Sequence, residues 1–301
     1  RAIQYYKEVI TILTTSEESS QKLLRVLELL NNLLIKNKKF QDAEKYLQIQ
    51  ITMLLHEKGP ESFNLLSPYI NMATILMDSK PKEALKYIKS AIDLRKKPTQ
   101  EEKNELIFAF YTLGQIYLRL HDYTSAQSTF QTLLRTAEKM KDKNHQLLWN
   151  TYVSLSSIYE TQKKQDLMLE TLQKAIDIEE SFSDIDITNY NPYHKLGVAN
   201  FKLGRYEEAW NYLEKALNRE NKITKNYYRL GLIYIDIATL CKANKAFEDA
   251  LEFYQAAIES LKDNEQGNYD IQDLYHEIGD LYQKLGRYKE AKASYERAFE
   301  K

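Results

Sequence analysis

Cysteine is almost absent. Cys241 stands alone, so no disulfide can form within the chain, and a reducing, cytoplasmic compartment is the expected setting. Proline occurs five times and glycine eight times in 301 residues. So few breakers over such a length favour a chain that is helical throughout. No apolar run approaches the ~18 residues needed to cross a bilayer as a helix, so no membrane is expected among the partners. Neither sign of charge dominates: 42 basic and 43 acidic residues leave a net charge of −1. The total therefore provides no broad basic face, and no nucleic-acid partner is expected. The five histidines, His56, His121, His145, His194 and His276, fall in no metal-ligand spacing. His276 and Asp280 are four apart on one helix, which suits a polar surface better than a metal. The acidic stretch from Asp177 to Asp186 lacks the glycine and ligand spacing of a calcium loop. There is no glycine-rich phosphate loop and no nucleophile motif. No cofactor, no metal and no catalytic activity are expected.

What is present is a period. Ala2, Ala43, Ala84, Ala126, Met168, Ala209, Ala250 and Ala291 recur at steps of 41 or 42 residues, and seven of the eight are alanine. Around each lies the same pattern. In the last stretch, Gln272 to Lys301, Tyr275, Ile278, Gly279 and Tyr282 share one face of a first helix, and Ala291, Tyr295 and Ala298 share one face of a second. Gly286-Arg287-Tyr288 makes the turn between them. The first full unit places Leu27, Leu30 and Leu34 opposite Phe40, Ala43 and Leu47. The fourth is the most divergent: Met168 replaces alanine, and its turn, Gln162-Lys163-Lys164-Gln165, has neither glycine nor an aromatic residue. The turn Asp78 to Pro81 is one residue short. Gly114, Gly197 and Gly279 share one slot. Each costs about 1 kcal/mol in an isolated helix, so close helix packing is the expected reason for them. Pro68 and Pro192 fall in the first turn of a helix, where the missing N–H does no harm.

This pattern resembles the tetratricopeptide repeat, a helix-turn-helix unit that stacks into a solenoid. The resemblance implies an all-α fold, a right-handed α-solenoid superhelix. It has seven full repeats, starting near residues 23, 66, 107, 149, 190, 231 and 272, after a half repeat in residues 1–15, and residues 1–301 form a single repeat domain. The chain opens on Arg1 with only a second helix, which suggests that more precedes it. It stops after a packing helix, so Tyr295 and Phe299 are expected either to meet further chain or to support self-association through uncapped ends. The period exceeds the usual repeat of about 34 residues by about seven, or ~10 Å if helical. Longer second helices, longer loops at one edge, or both are expected. The long period, with Gly59-Pro60-Glu61 ahead of a unit, is similar to the kinesin light chain type of repeat. Long repeats also occur in bacterial peptide-sensing regulators of the Rap phosphatase and PlcR kind.

The family resemblance implies a non-catalytic scaffold that binds a protein or peptide partner in a groove lined by first helices. The alternative it implies is the peptide-sensing part of a larger bacterial regulator, a transcription factor or phosphatase. First-helix residues placed off the core face give the groove: Arg25 and Asn32; Ile70, Asn71 and Thr74; Phe108, Tyr111 and Gln115; Asn150 and Val153; Asn191 and His194. Asparagine and glutamine amides both donate and accept, which suits a peptide backbone of any sequence. Ile70, Phe108, Tyr111 and Val153 are expected to form an apolar patch for one or two anchor side chains. The carboxylate clamp of chaperone-binding members is not supported. Its positions hold Glu28 and Asn32, Asn71, then Phe108 and Thr112: the asparagines are there, but the cations that the clamp needs are absent.

Overall fold

Apolar residues three and four apart dictate helices, and helices are what form. The structure, a computed structural model, describes residues 2–15, 20–94, 100–140, 143–182, 185–186, 190–223, 226–262 and 271–299. Ser183 and Asp184 of the acidic stretch, together with Arg1 and Lys301, lie outside the described residues. In chain order the elements are α1 (Ala2–Thr15), α2 (Ser20–Lys36), α3 (Phe40–Lys58), a short 3-10 turn (Phe63–Leu65), α4 (Leu66–Leu76), α5 (Pro81–Asp93), α6 (Gln100–Arg119) and α7 (Tyr123–Ala137). There follow α8 (His145–Thr161), α9 (Gln165–Ser181), α10 (Pro192–Lys202), α11 (Tyr206–Ile223), α12 (Tyr227–Ala243), α13 (Phe247–Leu261), α14 (Ile271–Lys284) and α15 (Tyr288–Phe299). No strand occurs among the described residues, and none of these helices is long and apolar enough to cross a membrane. The helices pack as two compact units, Arg1–Thr151 and Tyr152–Lys301, and the division falls inside α8.

Within each unit, helix pairs close on the alanine slot. Ala43, Ala84, Ala126, Ala209, Ala250 and Ala291 are buried, and so is Met168. Gly114, Gly197 and Gly279 explain the close approach. A Cβ on Gly114 would lie 2.4 Å from the Phe130 ring, one on Gly197 2.6 Å from Leu213, and one on Gly279 2.5 Å from Tyr295. The glycine therefore receives the large residue of the second helix, sixteen positions on, and the alanine is not its direct partner.

The turn joining first to second helix is one structure repeated. Lys38, His121, Lys163, Gly204, Lys245 and Gly286 all adopt positive φ, between 55° and 74°. The next N–H then bonds back across the helix end, as Lys39 N to Leu34 O, Lys164 N to Tyr159 O and Arg287 N to Tyr282 O do at 2.8–2.9 Å. This left-handed cap satisfies carbonyls that the helix end leaves open. The divergent turn at Lys163 is thus the same turn built without glycine. The short turn before Pro81 dispenses with the left-handed residue: Lys80 N bonds to Leu76 O at 2.7 Å.

In the N-terminal unit Leu27, Leu30 and Leu34 of α2 meet Leu47 and Ile51 of α3, and the core continues through Leu66, Met72, Ile88 and Ile116. A second cluster joins Ile107, Leu133, Ala137, Met140 and Leu147. Each fully buried leucine contributes about 1.5–3 kcal/mol. The expectation for Phe40 is corrected: it is 44% exposed. It is the first residue of α3, like Tyr206 of α11 and Tyr288 of α15, and its ring lies at the turn edge instead of in the core. The surplus length is not confined to second helices: the first helix α6 has 20 residues. α3 has 19 residues, α11 18 and α9 17.

Candidate functional site

The extra length of α3 builds a cavity. Leu54 and Lys58, in its last two turns, reach beyond the packing face. Together with Phe63 and Asn64 of the 3-10 turn they form one wall of a space of about 510 Å³. Gln21, Leu24, Arg25 and Glu28 of α2 form another wall, and Ser67, Pro68 and Asn71 of α4 a third. Gln50 lies within; its Oε1 accepts a 2.8 Å hydrogen bond from Nδ2 of the buried Asn31. The lining mixes both charges, four amides and four apolar side chains, all within the N-terminal unit. Two of the residues expected at the groove, Arg25 and Asn71, are brought together here. Gln21, Lys58, Phe63 and Asn64 were missed by sequence reasoning: Lys58, Phe63 and Asn64 come from a second-helix end and the linker after it, and Gln21 from the first turn of α2. The surplus in the period was the one signal in the sequence that pointed to this region.

The other expected residues are scattered. Asn32 is exposed near the end of α2 but outside the cavity. Ile70 is corrected: it is 4% exposed and belongs to the core. It was placed outward, but the inward stripe of α4 widens to include it. Thr74 turns its hydroxyl back onto Ile70 O at 2.8 Å, the usual satisfaction of a mid-helix threonine. On α6, Phe108 is 43% exposed, whereas Tyr111 is half-buried with its ring 6.0 Å from Phe130. Gln115 is half-buried. Asn150 accepts from Gln146 Nε2 at 3.2 Å, and Val153 is half-buried. Within the N-terminal unit the expected apolar patch is thus reduced to Phe108 with part of Tyr111; Val153 belongs to the other unit.

Asn191 is corrected most. It is 8% exposed and caps α10, its Oδ1 accepting from His194 N at 3.2 Å. Its Nδ2 donates to Ala216 O at 3.1 Å and to Glu220 Oε2 at 3.2 Å. Around it lies a buried charge network that the pattern did not reveal. Arg219 Nε donates to Glu179 Oε1 at 2.5 Å and Nη2 to Tyr190 O at 2.8 Å. Arg219 and Arg229 approach opposite oxygens of Glu220 at 3.8 and 3.6 Å. Burial pushes the Tyr190 phenol up to about 12 and the Tyr193 phenol further; Tyr193 also donates to Glu180 at 3.0 Å. Both phenols are therefore neutral at pH 7.

His194 is half-buried, and its Nε2 lies 2.6 Å from Asp236 Oδ2 of α12. His276 packs its ring 5.1 Å from Tyr295, whose hydroxyl donates to Asp280 at 2.7 Å. Among the described residues no group of three or more His, Cys, Asp or Glu side chains could hold a metal ion. Cys241 is buried, and that burial raises its thiol to about 11, far from an activated nucleophile.

Comparisons with known proteins agree with this architecture. A profile described as tetratricopeptide repeat matches residues 189–263, and a second of the same description matches 109–140, 150–182 and 272–300. Together they cover more than half of the chain. Tetratricopeptide repeat protein 29 of Trypanosoma brucei brucei is 27% identical over 153 residues, which are 49% of this chain and 30% of that protein. The chain thus matches under a third of the length of this relative. Among solved structures, the apo form of the quorum sensor NprR from B. thuringiensis has a TM-score of 0.66 at 19% identity, covering 98% of this chain and 79% of its own. Apo RapI has a TM-score of 0.64 at 13% identity, with 91% and 96% covered. YrrB, a tetratricopeptide repeat protein with an unusual peptide-binding site, has a TM-score of 0.50 at 19% identity, with 73% and 96% covered. At these identities the likeness is one of fold. By its repeats, its helix pairs and its matched profiles, this chain belongs to the tetratricopeptide repeat family.

Proposed function

We propose that the chain is a non-catalytic interaction module that holds an extended segment of a partner protein on the first helices of its N-terminal unit. The observation that carries the reading is the cavity of about 510 Å³ between α2, α3 and α4. Its amides from Gln21, Gln50, Asn64 and Asn71 suit a peptide backbone, which presents donors and acceptors alternately. Leu24, Leu54 and Phe63 suit one apolar anchor, and Arg25 with Lys58 suits an acidic neighbour. Phe108 on α6 is a second exposed apolar contact in the same unit. The alternative, the sensory part of a larger regulator, is supported only by the fold likeness to NprR and RapI, and the scaffold reading is preferred because it needs only residues of this chain.

The test begins with partners captured by the full chain, whose shortest binding segment is then synthesised and titrated by calorimetry. Arg25→Glu with Asn71→Ala is expected to weaken that segment by tenfold or more, about 1.4 kcal/mol, with helicity unchanged by circular dichroism. Phe108→Ala is expected to weaken it less. Undiminished affinity in the double variant would show that the partner binds elsewhere.

A further inference from the structure

The fourth repeat is missing a ring. Five of the seven helices that follow a turn begin with an aromatic residue: Phe40, Tyr123, Tyr206, Phe247 and Tyr288. α5 begins with Pro81, and α9 begins with Gln165. At Phe247 the ring has a use. Lys284, thirty-seven positions after Phe247, holds its ammonium 5.6 Å from that ring's centroid. The residue thirty-seven positions after Gln165 is also a lysine, Lys202, and it has no ring to lie on. The same repeat replaces the slot alanine by Met168, so apolar volume has moved from the turn edge into the floor.

The result is a cavity of about 280 Å³ within the C-terminal unit, at the ends of α8 and α10 and the start of α9. Met168, Val198 and Ala199 line it, and three lysines border it: Lys163 from the turn, Lys195 and Lys202 from α10. Lys195 is neutralised by Glu160 at 3.2 Å. Among the described residues, Lys163 and Lys202 have no carboxylate within ion-pair distance. Two uncompensated cations from two different elements therefore flank one apolar floor.

We propose that this cavity is a second binding site, which takes an apolar side chain of a partner peptide flanked on both sides by acidic residues. The charge pattern decides the occupant. An uncharged segment leaves both ammonium groups without a counter-charge, and a purely acidic one leaves the half-buried Val198 uncovered. The site shares no residue with the cavity of the N-terminal unit, so either can fail without the other.

The probe is the blocked peptide acetyl-Gly-Glu-Leu-Glu-Gly-amide, titrated into the full 15N-labelled chain. Saturable shifts are expected at Lys163, Met168 and Val198, with a Kd below about 1 mM. Lys163→Glu with Lys202→Glu, both at exposed positions, is expected to raise Kd by tenfold or more. Gln165→Phe restores the ring, fills the space and gives Lys202 its partner. It is expected to abolish binding while the melting temperature holds or rises. The lysine pair carries the test should that variant not fold. Equal binding of acetyl-Gly-Gln-Leu-Gln-Gly-amide, undiminished binding to the double lysine variant, or no saturation at all would overturn the proposal.

Discussion

The two units build the same corner of a repeat in opposite ways. In the N-terminal unit Arg25, Gln50 and Leu54 occupy three positions that Asn191, Ala216 and Glu220 occupy in the C-terminal unit, with the same spacings of 25 and 29 residues. Arg25 is exposed beside a cavity of about 510 Å³. Asn191 is buried and spends its amide on Ala216 O and Glu220. A first-helix residue is thus open or closed according to what the second helix offers it. Leu54 offers nothing that a polar group can bond to, so the corner stays open. Glu220 offers a carboxylate, and with it come Arg219, Arg229 and Glu179, because a buried charge needs partners. The comparison shows why groove residues cannot be assigned from the first helix alone.

The closed corner is the more costly one to disturb. Arg219→Leu leaves Glu179 and Glu220 buried without their shared cation, and about 3–5 kcal/mol of stability should be lost, measured by urea denaturation. Replacing Arg219, Glu179 and Glu220 together by apolar residues should recover most of that loss. If the single and the triple variant are equally unstable, packing and not charge closes the corner. A second comparison sets one slot of each unit side by side. Gly114→Ala drives a Cβ into the fully buried Phe130 and should cost about 1–3 kcal/mol. Gly279→Ala meets the half-exposed Tyr295, which can swing outward, and should cost clearly less in the same denaturation series. Equal costs would mean that Tyr295 is held as firmly as Phe130. The smallest effect tests what the units share. Lys38 and Lys245 hold the same left-handed turn with φ of 55° and 62°. Either changed to glycine should raise stability by about 1 kcal/mol, and by the same amount in both units. A gain in only one would show that its lysine side chain does something the turn does not require.

Much of this was legible beforehand, and particular residues show why. The alanine slot and the glycines at 114, 197 and 279 report a local demand, the distance between two adjacent helices, and a local demand leaves a periodic trace. The turn at Lys163 looked divergent because its glycine is absent, yet the backbone adopts the same left-handed cap at a modest local cost. Ile70 and Asn191 misled for a different reason. Both sit at outward-looking angles of their helices; Asn191 is claimed by Ala216 and Glu220 far along the chain, and Ile70 by the wider inward stripe of α4 itself.

The spacing of small and apolar side chains by itself determined that the chain forms helix pairs, where each pair begins, and which slot of each faces its mate. These follow from the 3.6-residue period and from steric contact between neighbours in sequence. Only the tertiary structure decided which corners stay open to a ligand. That choice depends on the end of a second helix some 25–29 residues later, on whether it carries carbon or carboxylate there, and on whether a ring is present to cover a lysine. No periodic pattern records those pairings, because each is made once.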